Sequence, residues 1–195
     1  TVERTEARLA GTELAQDGAA LITHAGLSGP AILKLSAWGA REMAARGYAF
    51  ILEIDWAPQL EADGCRRVFE EWRQQHGTRR IAGHVPFGGI PVRLWERLCA
   101  RAGVSEAATW AQLTRCESER LDDACRRCRF EVAGKTLNKE EFVTCGGVSL
   151  KEVDLRTMAS RQQPGLYFAG EVLDIDGVTG GFNFQAAWTG GYLAG

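Results

Sequence analysis

The 195-residue sequence lacks any uninterrupted apolar run long enough for a transmembrane helix, because its longest candidates are broken by glycine or charge. Its first residues, Thr1-Val2-Glu3-Arg4, lack the basic stretch and following apolar stretch of a signal peptide. They also lack an initiating Met, which reads as a fragment or a processed chain. No charge of one sign dominates. The chain has 23 basic and 25 acidic residues, a net charge of −2, which leaves no electrostatic footprint for nucleic acid and no polybasic membrane patch. No Lys-Ser or Lys-Thr follows the glycines, so a phosphate-binding P-loop is excluded. The six cysteines are dispersed through a chain rich enough in apolar residues to need no disulfide scaffold, so free thiols in a reducing cytoplasm are expected.

What remains is a chain with 45% hydrophobic residues, sized for one or two domains. Ala19–Thr23 and Tyr48–Asp55 read as strands. Between them Ala31–Arg46 reads as a helix, with Pro30 at its first turn, Gly47 at its C-terminal cap, and Ile32, Leu35, Trp38 and Met43 on its apolar face. Gly39 weakens that helix by about 1 kcal/mol relative to Ala. From Gln59 to Asp123 apolar residues recur at helical spacing. The stripes are Val68, Phe69 and Trp72, then Leu94, Trp95, Leu98 and Cys99, then Trp110 and Leu113, with a Pro/Gly-rich connection from His84 to Pro91. These tryptophans are expected in a core. Strands return at Arg129–Gly134, Glu141–Thr144 and Gly165–Glu171, and Asn183–Ala194 reads as a helix.

The glycines concentrate towards the end, at Gly165, Gly170, Gly177, Gly180, Gly181, Gly190, Gly191 and Gly195. An apolar segment, Leu166-Tyr167-Phe168-Ala169, runs into Gly170-Glu171. An Asp-bearing loop with Asp174 and Asp176 follows, and then Gly180-Gly181-Phe182-Asn183 opens a helix. Glycine lets main chain approach a ligand closely, and a helix N-terminus offers free amides and partial positive charge. A carboxylate such as Glu171 can accept hydrogen bonds from ligand hydroxyls. Glycines that serve only a strand-to-helix turn would give the same composition, but not this ordered set.

Three stretches make the sequence resemble the BaiN-like family of bacterial NAD(P)/FAD-dependent oxidoreductases. They are Thr23-His24-Ala25-Gly26-Leu27-Ser28-Gly29-Pro30-Ala31-Ile32-Leu33, Val143-Thr144-Cys145-Gly146-Gly147-Val148, and the run from Thr157-Met158 through Gly170-Glu171 to Gly195. The resemblance implies a mixed α/β protein: a barrel-like strand domain with a helical insert, followed by the C-terminal segment of a Rossmann-type FAD-binding domain. The boundaries it implies are 1–57 and 124–160 for the strand-rich domain, 58–123 for the helical subdomain, and 161–195 for the Rossmann segment. No Gly-x-Gly-x-x-Gly follows an initial strand, so the ADP-binding half is expected on an N-terminal Rossmann segment of a parent chain. This chain alone is then expected to bind FAD weakly or not at all. The cofactor-binding residues implied are Gly146, Gly147, Val148, Gly170, Glu171, Asp174, Gly177, Gly180, Gly181, Phe182 and Asn183. His24 is a candidate proton donor, since imidazole titrates near neutral pH; a turn histidine is the plainer alternative.

Cys125-x-x-Cys128 stands among Arg126, Arg127 and Arg129, which would favour thiolate, but one such pair with irregularly spaced Cys116 and Cys145 does not make a zinc site, and no metal is expected. The expected function is flavin-mediated hydride or electron transfer to or from a small molecule, with NAD(P)H as a candidate reductant and no nucleic-acid or membrane partner. Reduction of an activated carbon–carbon double bond and amine oxidation are both compatible. A non-catalytic interaction module with a degenerate Rossmann tail is the rival, and an RNA-modifying flavoprotein is disfavoured by the acidic balance.

Overall fold

The computed structural model describes residues 1–134, 143–178 and 180–195. They fall into two compact units, one of Thr1–Leu35 with Ala49–Ala133, the other of Ser36–Tyr48 with Gly134–Gly195. The architecture is mixed α/β.

The first unit is built on a curled antiparallel sheet in the order β3-β2-β1-β4-β5. Its strands are β1 (Val2–Leu9), β2 (Ala15–Thr23), β3 (Gly26–Ser28), β4 (Ala49–Asp55) and β5 (Cys128–Ala133). The sequence reading began its first strand at Ala19 and missed β1. There, Thr5, Ala7 and Leu9 alternate inward, but the register shifts between Val2 and Thr5, so the period-2 signal is broken near its start.

Three helices cover residues 64–126: α3 (Gly64–His76), α4 (Val92–Arg101) and α5 (Arg115–Arg126). Their apolar stripes meet in an aromatic core. Phe69 lies 6.1 Å from Trp95 and 5.8 Å from Trp110, and the two indoles stack at 6.3 Å. The buried Trp95 indole donates to the Ile81 carbonyl at 2.8 Å, so its polar atom is satisfied. Trp110 belongs to a short 3-10 turn, Trp110–Gln112, ahead of α5 rather than to that helix. The cause is Thr114. Its hydroxyl accepts from the Glu117 amide at 3.2 Å, and the Glu117 carboxylate accepts from the Thr114 amide at 2.9 Å, a reciprocal cap that starts the helix at Arg115.

The far end of α5 is tied to the sheet. The Trp56 amide donates to the Cys125 carbonyl at 2.8 Å, and Arg126 pairs with Asp55 at 3.3 Å. This buries Cys65, Cys99, Cys125 and Cys128. The thiolate expected beside the arginines is therefore disfavoured. Burial pushes Cys128 up and Cys99 to about 12, while the neighbouring Cys65 thiol and burial raise Cys125.

The helix expected over Ala31–Arg46 is two helices, α1 (Pro30–Trp38) and α2 (Ala40–Ala45), broken at Gly39. Leu35 and Met43 are buried as expected, but Trp38 is 66% exposed. Gly47 caps the second piece with φ 60°.

The second unit has a small core. Val153, Met158 and Leu173 are buried, with Val148, Leu150, Phe168 and Ile175 packed on them. Two short strands pair, β6 (Val153–Asp154) with β7 (Ala159–Ser160), and α6 (Phe182–Ala194) closes the chain. The buried strand expected at Gly165–Glu171 is not formed. Tyr167 makes one bridge to Ala159, Gly170–Val172 is a 3-10 turn, and Leu166 and Tyr167 are 43% and 52% exposed. An apolar run becomes a strand only where neighbours complete its hydrogen-bond ladder, and among the described residues Ala159 alone pairs with it. Of the strand expected at Glu141–Thr144, the first two residues lie outside the described ones, and Val143 and Thr144 take no regular structure. Among the described residues no helix is long and apolar enough to cross a membrane.

Candidate functional site

Within the second unit, the two glycine-bearing stretches singled out from the sequence lie side by side. The Val148 amide donates to the Val172 carbonyl at 2.8 Å, and the Asp174 amide donates back to the Val148 carbonyl at 2.9 Å. This parallel bridge carries Gly146 and Gly147 against the turn that holds Gly170 and Glu171. The two glycines serve different ends. A Cβ on Gly147 would meet the Val172 oxygen at 2.5 Å, so its missing side chain is required by the chain's own main chain. A Cβ on Gly146 would meet nothing within 4 Å, although its φ of 108° still favours glycine.

The start of α6 is held by Asn183. Its side-chain oxygen accepts from the Gly177 amide at 2.7 Å, and its amide group donates to the Gly177 carbonyl at 3.1 Å. Asn183 thus clasps the preceding loop instead of offering a free side chain at the helix entrance. Gly177 must be small, since a Cβ there would sit 3.2 Å from that of Phe182. Gly181 occupies the N-cap with φ 91° and open space where a side chain would be, and Gly180 has φ 143°. The first turn of this 13-residue helix therefore presents main-chain amides beside an uncluttered surface. Phe182 is 63% exposed next to it.

Small residues let α6 pack closely. A Cβ on Gly190 would meet the Met158 methyl at 3.2 Å and Ala169 at 3.7 Å, and one on Gly170 would meet Ala187 at 3.9 Å. The other side of the helix stays uncovered, with Phe184 stacked on Trp188 at 6.0 Å and both about two-thirds exposed.

Glu171 stands exposed on its 3-10 turn and makes no hydrogen bond among the described residues. Asp174 is engaged: both its carboxylate oxygens accept from one Arg41 nitrogen, at 2.6 and 2.9 Å. The sequence reading missed Arg41, because nothing local marks an arginine on α2 as the partner of a residue 133 positions away. The Arg41 guanidinium is raised by the same bond. Nearby Cys145 is raised by partial burial and by its hydrogen bond to Asp176, which keeps it a thiol.

His24 belongs to the first unit. It sits exposed at the tip of the β2–β3 hairpin, whose turn is pinned by the Thr23 hydroxyl donating to the Gly26 carbonyl at 3.0 Å. Gly29, just beyond β3, lies so close to β2 that a Cβ would meet the Ala19 carbonyl at 2.8 Å.

An antiparallel sheet with helices in one unit, and glycine turns leading into a helix N-terminus in the other, make this a mixed α/β protein. Sequence comparison gives the particular one. The model of the HI0933-like protein Rossmann domain matches residues 2–195, and the chain belongs to this family. It is 34% identical over 170 residues to the ribosomal RNA dihydrouridine synthase of Escherichia coli, covering 87% of this chain and 39% of that protein. The same figure, 34%, holds over 175 residues for the ribosomal RNA dihydrouridine synthase of Haemophilus influenzae, covering 88% of this chain and 40% of that protein. Against the 3-dehydro-bile acid delta(4,6)-reductase of Clostridium scindens it is 30% identical over 197 residues, covering 98% of this chain and 48% of that protein. This agrees with the BaiN-like resemblance carried by the motifs. The chain spans less than half the length of each of these relatives.

Proposed function

We propose that this chain supplies the ring-side portion of an FAD-dependent reductase that saturates a carbon–carbon double bond conjugated to a carbonyl. The relatives' activities converge on that bond. Making dihydrouridine saturates the 5,6-bond of uracil, which is conjugated to a ring carbonyl. A delta(4,6)-reductase acting on a 3-dehydro steroid saturates bonds conjugated to the 3-ketone. One chemistry, hydride delivery to a polarised alkene followed by protonation, covers both.

The observation that carries the flavin reading is the open main chain at Gly146 and Gly181 together with the amide-bearing start of α6. This surface suits a planar, electron-rich ring. When bound, the flavin would supply the hydride. The chain's own part would be to hold it. Gly146 and Gly181 would let main chain touch the ring, and the α6 amides would favour negative charge developing on the pyrimidine side. Glu171 would accept from ribityl or ribose hydroxyls. Asn183 and Gly147 would keep the two turns in register, and Arg41 would hold Asp174 away from the ring. His24 remains a candidate proton donor, and a nicotinamide nucleotide a candidate reductant. The ADP half would be held by an N-terminal Rossmann segment of the complete protein.

The test uses the complete protein. It should purify yellow, and Glu171→Ala should lower flavin affinity roughly ten- to hundredfold, the worth of one charge-assisted hydrogen bond. Full flavin occupancy in both Glu171→Ala and Gly181→Val would remove this segment from the cofactor site. A colourless complete protein that captures protein partners would favour the non-catalytic module instead. The substrate is read from anaerobic reoxidation of the reduced enzyme. A uridine-containing ribosomal RNA fragment and a 3-oxo-4,6-diene steroid are the two acceptors to compare. The first is the reading favoured by the two relatives at 34% identity, and the second keeps the substrate a small molecule.

A further inference from the structure

The net charge of −2 averages over an uneven distribution. Residues 64–101 carry eight arginines against three glutamates, a net +5, so the rest of the chain is −7. On α4 the arginines are ordered. Arg93, Arg97 and Arg101 stand at i, i+4 and i+8, all exposed, on the side away from the buried Trp95 and Cys99. Successive members of such a row are about 6 Å apart along the helix axis, on the scale of neighbouring phosphates in a single strand.

The row runs into a groove of about 410 Å³ whose lining includes Arg101, Arg120, Arg127 and Arg129. Two of these hold position through main-chain carbonyls: Arg101 donates to the Arg129 carbonyl at 2.9 Å and Arg120 to the Ala102 carbonyl at 2.7 Å. Their positive charge is therefore not cancelled. The carboxylates at the groove are already occupied, Asp123 by Arg127 at 2.6 Å and Glu119 by Arg115 at 2.9 Å. Among the described residues, Arg93, Arg97, Arg101 and Arg120 make no ion pair.

We infer that the α4 row and the groove beyond it form a track for the phosphate backbone of a single-stranded RNA, holding the polymer whose base would be reduced. This rests on the RNA reading above and names the surface that would serve it. Guanidinium groups suit phosphate oxygens through bidentate donation. Arg127 and Arg129 are paired with Asp123 and Glu53, so the track rests on Arg93, Arg97, Arg101 and Arg120, which give affinity without reading sequence, and the affinity falls as salt rises.

The experiment measures fluorescence anisotropy of a labelled 20-nucleotide uridine-containing RNA with the complete, flavin-loaded protein over a salt series. Arg93→Gln/Arg97→Gln removes two exposed charges that make no ion pair among the described residues, so thermal stability and flavin reduction by a nicotinamide nucleotide should stay unchanged. Binding should weaken about tenfold at moderate salt, and the slope of log affinity against log salt should fall by about 1.4, two single-strand phosphate contacts. Arg156→Gln, an exposed arginine of the second unit, should alter neither. Wild-type affinity and slope in the double variant would overturn the assignment. So would binding to vesicles of 30% phosphatidylserine without binding to RNA. A yellow protein that ignores RNA sinks this track and spares the flavin reading; a colourless one whose RNA binding weakens in the double variant does the reverse.

Discussion

The two units handle their aromatic residues in opposite ways. In the first, Trp56, Trp95, Trp110 and Phe69 are all but fully buried, and the Trp95 indole is satisfied by a carbonyl. In the second, Phe182, Phe184, Trp188 and Tyr192 line α6 at 63% to 85% exposure, while the buried core consists of Val153, Met158 and Leu173. The first unit spends its apolar side chains on its own stability. The second builds its turns from glycine and leaves the large apolar side chains of α6 exposed. Buried aromatic surface is concentrated in the first unit and exposed aromatic surface in the second, and the contrast can be tested residue by residue.

The largest contrast should come from two tryptophans. Trp95→Ala removes a buried ring together with its indole's bond to the Ile81 carbonyl, so it should cost about 3–5 kcal/mol in chemical denaturation. Trp188→Ala, on an exposed face, should stay within about 0.5 kcal/mol. Equal costs would erase the comparison.

Two adjacent glycines sharpen it inside the second unit. Gly147→Ala drives a methyl into the Val172 carbonyl and should destabilise by about 1–3 kcal/mol, seen as an early melting transition. Gly146→Ala meets no atom and should cost only the backbone strain, about 1–2 kcal/mol. If Gly146→Ala nevertheless loses flavin while Gly147→Ala keeps it in proportion to folded protein, the open side of Gly146 faces the cofactor.

Asn183→Ala cuts both hydrogen bonds to Gly177 and should cost about 1–3 kcal/mol. Asn183→Asp keeps the acceptor for the Gly177 amide but loses the donor to its carbonyl, so it should fall between wild type and Ala. Identical melting curves for all three would show that the clasp does not hold the loop.

The smallest effect is in acid, in the first unit. The Glu117 carboxyl is lowered by its hydrogen bonds from the Thr114 side chain and backbone. A folded-state value below the unfolded one means its contribution is present above the unfolded value of about 4.3 and is lost as pH falls through the folded value. Stability measured between pH 5 and 3 should fall less steeply in Glu117→Gln than in wild type.

Much of the first unit was legible because its signals are local. The three helical stripes, the strands at 49–55 and 128–133, and the Pro/Gly connection at 84–91 all follow from periodicity and turn chemistry. The mixed α/β class and the family followed from motifs. What escaped had a non-local cause. The bulge near Val2 hid β1, and a single glycine broke a helix whose pattern ran on. The segment from Gly165 read as a strand because its composition is apolar, whereas strand formation depends on partners that composition does not report. In the glycine-rich segment the sequence named the residues but not their duties. Gly147 and Asn183 turn out to be occupied within the chain, while Gly146, Gly181 and Glu171 are free. Net charge, from which no nucleic-acid partner was expected, reports only a sum and cannot register how charges are arranged, as in the α4 row.

One pairing has a consequence for synthesis on the ribosome. Arg41 meets Asp174 across 133 residues, because the second unit draws on Ser36–Tyr48 early in the chain and on nothing more before Gly134. At about 5–20 residues per second, α2 leaves the ribosome roughly 7–27 s before its ion-pair partner is made. The first unit also has to wait, but for less, since β5 at Cys128–Ala133 completes its sheet. For that interval a six-residue helix too short to persist alone in water is a nascent loop, tethered at both ends to a neighbour that is assembling without it. Slowing translation after Ala133 should therefore lengthen the time for which Arg41 and Met43 are open to chaperones and proteases.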